Sequence, residues 1–241
     1  MSTLIVMPTY NECNCLENIL RAILALGLDI KILIVDDNSP DGTGRIADAL
    51  ARSDNHISVL HRPKKEGLGK AYLEGFRRAL EDKDVDYIME MDADFSHDPK
   101  YIPKFLEAIS DCDIVIGSRF YKGRISIVNW PLSRLILSYG ARIYVRLFAG
   151  LGLSDPTSGF KCFRRRAVEM ILNNGIISNG YAFQIEVNYA CKKLGLKFGE
   201  IPIIFYNRDI GTSKMGALRT VIDAMAIVWL VKFKRFTGSI K

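Results

Sequence analysis

Asp92-Ala93-Asp94 follows the apolar run Tyr87-Ile88-Met89-Glu90-Met91, so two carboxylates stand at the end of a segment that reads as a buried strand. Side chains two apart on an extended chain share one face. Two hard oxygen donors placed this way suit Mg²⁺ or Mn²⁺, which stay bound through one or two carboxylates while substrate phosphates fill other positions. A cation held against a diphosphate points to a nucleotide-activated substrate. The triplet alone is common in solvated loops and helix caps. Its place at a strand end, where open α/β sheets bind ligands, gives it weight.

Two further loops belong to the same edge. Pro8-Thr9-Tyr10-Asn11-Glu12 follows the first apolar run, and Asp36-Asp37-Asn38-Ser39-Pro40-Asp41-Gly42-Thr43 follows the second. There Tyr10 can stack on a base, and Glu12 and Asp37 can accept hydrogen bonds from base or ribose. The same residue types build tight turns and helix caps, and for either loop alone the two readings weigh about equally. Gly117-Ser118-Arg119 closes a later strand and brings a guanidinium suited to phosphate. Arg208-Asp209-Ile210-Gly211-Thr212-Ser213-Lys214 has the composition of a loop that folds over a diphosphate. Lys64 to Lys70, with Gly67 and Gly69, could touch phosphate but reads better as a turn entering a helix. Neither a Gly-x-Gly-x-x-Gly after the first strand nor a P-loop is present.

The elements that must carry these residues alternate. Periodicity predicts strands at 4–7, 30–35, 57–60, a run ending at Asp92, and 114–116, with helices at 16–26, 43–51, 68–80 and 99–109. Continuous aliphatic runs such as Ile32-Leu33-Ile34-Val35 are typical of parallel strands buried on both faces, so a doubly wound, mostly parallel α/β sheet is expected. Asp41-Gly42-Thr43 and Asp98-Pro99 are helix-start signals. Beyond Ser118 the pattern turns to helices at 131–148, 164–172 and 182–194, with a strand region at 198–205.

With 241 residues, 49% hydrophobic and 25% charged, the chain reads as one folded domain over 1–241. A net charge of +6 favours anionic partners. The start lacks a secretory leader pattern, and the five cysteines lack Cys-x-x-Cys spacing, so neither zinc nor a disulfide framework is indicated. The run from Ala224 to Val231 is far short of the ~20 residues a spanning helix needs.

Pro8 to Glu12, Asp36 to Thr43, Asp92-Ala93-Asp94-Phe95-Ser96-His97, Gly117-Ser118-Arg119, Asp155-Pro156-Thr157-Ser158-Gly159-Phe160 and the Arg208 to Lys214 loop together resemble family 2 glycosyltransferases of the GT-A fold. More narrowly, the chain resembles the dolichol-phosphate (polyprenol-phosphate) mannose synthases, nearly end to end. The resemblance implies GDP-mannose as donor, contacted by Pro8, Tyr10, Glu12, Val35, Asp37, Asp92, Ala93, Asp94, Arg119, Arg208 and Lys214. It implies Mg²⁺ or Mn²⁺ on Asp92 and Asp94, and catalytic roles for Asp92, Asp94, Arg119, Arg208 and Lys214. The product would be a lipid-linked mannose donor for protein glycosylation or glycolipid synthesis. The expected location is the cytoplasmic face of a membrane: endoplasmic reticulum in a eukaryote, plasma membrane in a prokaryote. Some members carry a glutamine as a further metal ligand where this chain has Ser96, a poorer donor.

A dolichyl or polyprenyl phosphate acceptor removes the need for a general base, since a phosphate monoester with a second pKa near about 6 is already an anion. Single displacement would invert the anomeric centre. From Ile114 to Ser154 the chain has no Asp or Glu but holds Arg119, Lys122, Arg124, Arg134, Arg142 and Arg146. Arg134, Ser138, Arg142 and Arg146 recur every four residues, leaving Leu135, Ile136, Tyr139, Ile143, Leu147 and Phe148 as apolar surface. Such a helix suits a membrane interface over about residues 125–150, and Arg119, Arg134 and Ser138 are the candidates for the acceptor phosphate. The alternative is a core helix with a polar stripe. His97, next to the metal motif, reads better as a supporting or capping residue than as a base. A second amphipathic segment, about 217–236, offers Ile222, Met225, Ala226, Trp229 and Phe233 to a bilayer, a small membrane-anchoring subunit or the catalytic body. Rival readings are a synthase using another sugar nucleotide such as UDP-glucose, a noncatalytic nucleotide-binding subunit and, from charge alone, a nucleic-acid binder, which is not expected.

Overall fold

The structure, a computed structural model, describes residues 1–206, 227–234 and 236. Three aliphatic runs open the sheet: β1 (Ser2–Thr9), β2 (Ile30–Asp36) and β3 (Ile57–His61), joined by helices α1 (Leu16–Leu24) and α2 (Thr43–Ser53). After α3 (Leu68–Glu81) the chain returns to the other side of β1 as β4 (Val85–Glu90), then runs through α4 (Ile102–Ala108) into β5 (Ile114–Ser118). A two-residue β6 (Ile127–Val128) and α5 (Leu132–Phe148) precede β7 (Lys161–Arg164), α6 (Arg165–Asn173), α7 (Gly180–Lys193), β8 (Phe198–Pro202) and β9 (Phe205–Tyr206). The main sheet has the order β3-β2-β1-β4-β7-β5-β8, parallel except for β7, which is antiparallel to β4 and β5. The strand order reverses between β1 and β4, the place where open α/β sheets bind ligands outside their carboxyl ends.

Helices on both faces explain the unbroken aliphatic runs. Val6, Leu33, Val35 and Ile88 pack with Phe76 of α3, Val168 of α6 and Phe183 of α7. On the opposite face Ile5, Met7, Ile32, Ile34 and Met89 pack with Ile19 and Ile23 of α1 and Phe105 of α4. At Gly75 of α3 an added Cβ would fall 2.3 Å from the Val6 side chain, so this helix rests directly on β1.

The predicted elements agree within a few residues, with three differences. The 99–109 helix is shorter, because Pro99–Tyr101 and Ile109–Asp111 wind as tighter 3₁₀ turns around α4. The 198–205 region divides at Pro202 into β8 and β9, and β9 pairs with β6 in a small second sheet. The third difference is β7, which no periodicity announces: Lys161-Cys162-Phe163-Arg164 carries two cations, and Lys161 is fully buried.

Burial of that lysine is offset locally. Its ammonium donates to Gln184 Oε1 and lies 4.0 Å from Glu90 Oε2, which also accepts from Gln184 Nε2 at 2.9 Å. Burial pushes the Glu90 carboxyl up and the Lys161 ammonium down from their ordinary values. Removing one member strands the other charge, so Lys161→Met is expected to cost about 3–5 kcal/mol. The Glu90→Gln/Lys161→Met double variant should recover much of that loss in urea unfolding; equal instability of single and double variants would refute the coupling.

Candidate active site

Loops after β1, β2 and β4 converge on the carboxyl edge of the sheet, and each contains a non-glycine residue in left-handed conformation: Asn11 (φ 59°), Asn38 (φ 55°) and Phe95 (φ 61°). Asparagine tolerates this region; a bulky phenylalanine seldom occupies it, and such conformations concentrate at functional sites. The acidic loop residues divide into scaffold and site. Asp36 accepts from Thr9 Oγ1 (3.0 Å), Ser39 Oγ (2.6 Å) and Ser39 N (3.1 Å). Asp41 accepts from Cys13 N (3.1 Å), Thr43 N (3.0 Å) and Thr43 Oγ1 (2.6 Å), while Glu12 N donates to Thr43 Oγ1 (2.9 Å). These bonds stitch the first two loops together.

Asp37, expected at the nucleotide, is held by Arg62, a residue that sequence reasoning passed over. Arg62 is buried, donates to Asp37 Oδ1 through Nη1 and to Glu74 Oε2 through Nε (2.7 Å), and lies 3.4 Å from Glu66. Burial pushes the Asp37 carboxyl up, more than Arg62 draws it down. Tyr10 is half-buried, with the Lys65 ammonium 3.8 Å from its ring centre. The Val35 side chain is fully buried in the core, so only its backbone can reach a donor. Pro8 is half-buried beside these loops, and Ala93 is buried between the two aspartates.

Asp92 and Asp94 are both half-buried at the end of β4. Tyr72 OH donates to Asp92 Oδ1 at 3.3 Å, and Ser96 N donates to Asp94 Oδ1 at 3.0 Å. His97 is buried, stacked on Phe160 at 4.8 Å, and its Nδ1 accepts the Asp92 N–H at 3.0 Å. That bond places the ring proton on Nε2, which faces Asp92 Oδ2 at 4.0 Å. His97 thus orients Asp92. Among the described residues no three His, Cys, Asp or Glu side chains gather as a metal-binding group. Two carboxylates with the remaining positions left to phosphate and water fit Mg²⁺ or Mn²⁺.

Arg119 is buried and already paired. Its Nε (2.6 Å) and Nη2 (2.8 Å) grip Asp155 bidentately, Nη2 also reaches Thr157 Oγ1 (2.9 Å), and its backbone N–H donates to Asp155 (3.0 Å). A phosphate here would share the guanidinium with Asp155. Burial pushes the Asp155 carboxyl up, but Arg119 outweighs it and the group titrates below its ordinary value. The Trp130 ring lies 5.6 Å from the Arg119 guanidinium and 4.2 Å from that of Arg134 on α5. Ser138 stands one turn further along α5, half-buried like Arg134.

Helix α5 is not a core helix: Val145 alone among its residues is buried, while Leu132, Ile136, Tyr139, Ile143 and Leu147 form an exposed stripe. Segment 227–233 is helical and buries Ile227, Val228 and Val231 against Val145, Ile185 and Tyr189, leaving Trp229, Leu230 and Phe233 exposed. Among the described residues no helix is long and apolar enough to cross a membrane. Arg208 and Lys214, with Ile222, Met225 and Ala226, lie outside the described residues.

Comparison with known proteins places the family and the fold. The family model for glycosyl transferase family 2 matches residues 4–172. An undecaprenyl-phosphate mannosyltransferase of Micrococcus luteus is 43% identical over 89% of this chain and 88% of its own. A polyprenol monophosphomannose synthase of Mycolicibacterium smegmatis is 41% identical over 88% of this chain and 80% of its own. Glucosyl-3-phosphoglycerate synthase from Mycobacterium tuberculosis, solved with Mn²⁺ and UDP-glucose, aligns with a TM-score of 0.68 at 17% identity, over 95% of this chain and 78% of that one. The fold is therefore that of the GT-A glycosyltransferases.

The stitching of the loops has a pH signature. Burial pushes the Asp41 carboxyl up, but the hydrogen bonds from Thr43 and Cys13 outweigh it and hold its pKa at about 2, below the ordinary 3.8. Its contribution to stability is present in full above about pH 4 and is lost as pH falls toward 2. Asp41→Ala should therefore lower the urea midpoint at pH 6, with a gap to wild type that narrows by pH 2; a gap independent of pH would refute the assignment.

Proposed function

This chain belongs to glycosyl transferase family 2, and we propose that it transfers mannose from GDP-mannose to a polyprenyl (dolichyl) phosphate with inversion, giving a β-linked mannosyl phosphate lipid. The mannosyl and polyprenyl parts of this reading are supported by the names of the two bacterial relatives. One observation carries the lipid acceptor: α5 leaves an apolar stripe exposed, while its half-buried Arg134 meets the same Trp130 ring as Arg119 and half-buried Ser138 stands one turn further along. Water disfavours so long an apolar face, and a bilayer accepts it. The protein then sits peripherally on the membrane that supplies its acceptor.

In this reading Tyr10, Glu12 and Asp37 receive the nucleoside, and Pro8, Val35 and Ala93 shape its bed. Asp92 and Asp94 would hold Mg²⁺ or Mn²⁺. A bound divalent ion would neutralise charge growing on the departing diphosphate. His97 and Tyr72 keep the Asp92 carboxylate in position, and Arg208 and Lys214 add positive charge at the leaving group. Arg119, Arg134 and Ser138 fix the acceptor phosphate, whose oxygen attacks the anomeric carbon without a protein base. The single step makes one C–O bond as the bond to GDP breaks.

The decisive assay is incubation with GDP-[¹⁴C]mannose, Mg²⁺ or Mn²⁺ and either polyprenyl phosphate or the free alcohol. Label should enter the organic phase with the phosphate alone, GDP should compete better than UDP, and chelation should stop the reaction. Asp94→Ala should lower turnover about a hundredfold or more. Unaltered activity in that variant would refute the metal site. The membrane arm is tested with Ile136→Glu/Ile143→Glu, which should reduce co-sedimentation with anionic vesicles about tenfold; undiminished binding would refute the contact through α5.

A further inference from the structure

Trp130 is the least explained residue of the acceptor corner. It precedes α5 and follows Asn129, whose left-handed backbone (φ 61°) sets the turn into the helix. Its ring is held by Phe205 edge-on at 5.6 Å, by the Arg134 guanidinium at 4.2 Å and by that of Arg119 at 5.6 Å. The ring's polar atom is treated differently: Nε1 is buried and has no hydrogen-bond partner among the described residues. Indole N–H is a donor only, and a buried donor left unmet is costly. With two guanidinium groups against the same ring, at 4.2 and 5.6 Å from its centre, an anion with oxygen acceptors suits that donor.

We infer that the Trp130 indole N–H is a further donor to the acceptor's phosphate, acting beside Arg119 and Arg134. The inference rests on the proposed lipid-phosphate acceptor and deepens it. Trp130 would serve twice: its faces orient the two guanidinium groups by cation–π contact, and its edge reads one phosphate oxygen. A planar N–H on a ring packed by Phe205 also fixes the direction of that bond, which in turn selects which oxygen remains to attack.

The chain contains two tryptophans, so its indole N–H region should show two resonances. With ¹⁵N-labelled protein, Trp229→Phe identifies the Trp130 signal. A short-chain polyprenyl phosphate should move that signal downfield, whereas the matching alcohol and GDP should not. Inorganic phosphate moving it as strongly as the lipid phosphate would show that the headgroup suffices for recognition, still in support. An unmoved signal under saturating lipid phosphate would overturn the inference. In kinetics, Trp130→Phe keeps the ring and removes the donor. It should raise KM for polyprenyl phosphate about tenfold while leaving the Kd for GDP unchanged, and Trp130→Leu should do more harm. Equal loss of donor and acceptor binding would reduce Trp130 to a structural residue and overturn the inference. Failure of wild type to label polyprenyl phosphate at all would instead sink the proposed reaction, and this assignment with it.

Discussion

The site depends on one pair of charges held out of water, Arg119 and Asp155. Removing two ions from solvent costs several kcal/mol each, and the attraction repays it only when geometry is good and the remaining hydrogen-bonding groups are met. Both conditions hold here. Asp155 takes three donors from Arg119, counting its backbone, and one from Thr157 Oγ1. Glu200 of β8 accepts from the backbone of Ser154 and Asp155, binding the same loop to the neighbouring strand. With the guanidinium fixed, its surroundings provide the ground on which Trp130 and Phe205 stand, at 5.6 and 5.4 Å.

Phe205 joins two regions that the proposed transfer requires to be adjacent. Its ring meets His97 at 6.1 Å on one side and Trp130 at 5.6 Å on the other. His97 holds Asp92 through the backbone, and Trp130 stacks with Arg134. A run of three rings, His97, Phe205 and Trp130, therefore links the backbone of Asp92 to Arg134 of α5.

Much of this was legible in the residues. The runs at β1, β2, β4 and β5 announce a parallel sheet because helices cover both faces, and the acidic loops announce its carboxyl edge because the strands end there. What escaped is what depends on long-range compensation. β7 is invisible because its buried Lys161 is tolerable only beside Glu90 and Gln184, residues 71 and 23 positions away along the chain. Arg62 hid in a basic loop whose surface composition gives no sign that one cation turns inward to Asp37. Arg119 was legible as a cation at the edge, but its engagement by Asp155 is a property of the folded chain. For His97, proximity to the aspartates was plain, while the proton's location on Nε2 follows only from the hydrogen bond.

Lys65 on the face of Tyr10, with its ammonium 3.8 Å from the ring centre, changes what affinity means at that corner. A flat ring settling on the same face does not occupy vacant space; it evicts a cation that already has its own attraction to the π cloud. Binding there would be an exchange of partners, its strength reporting a difference between two stackings on one ring.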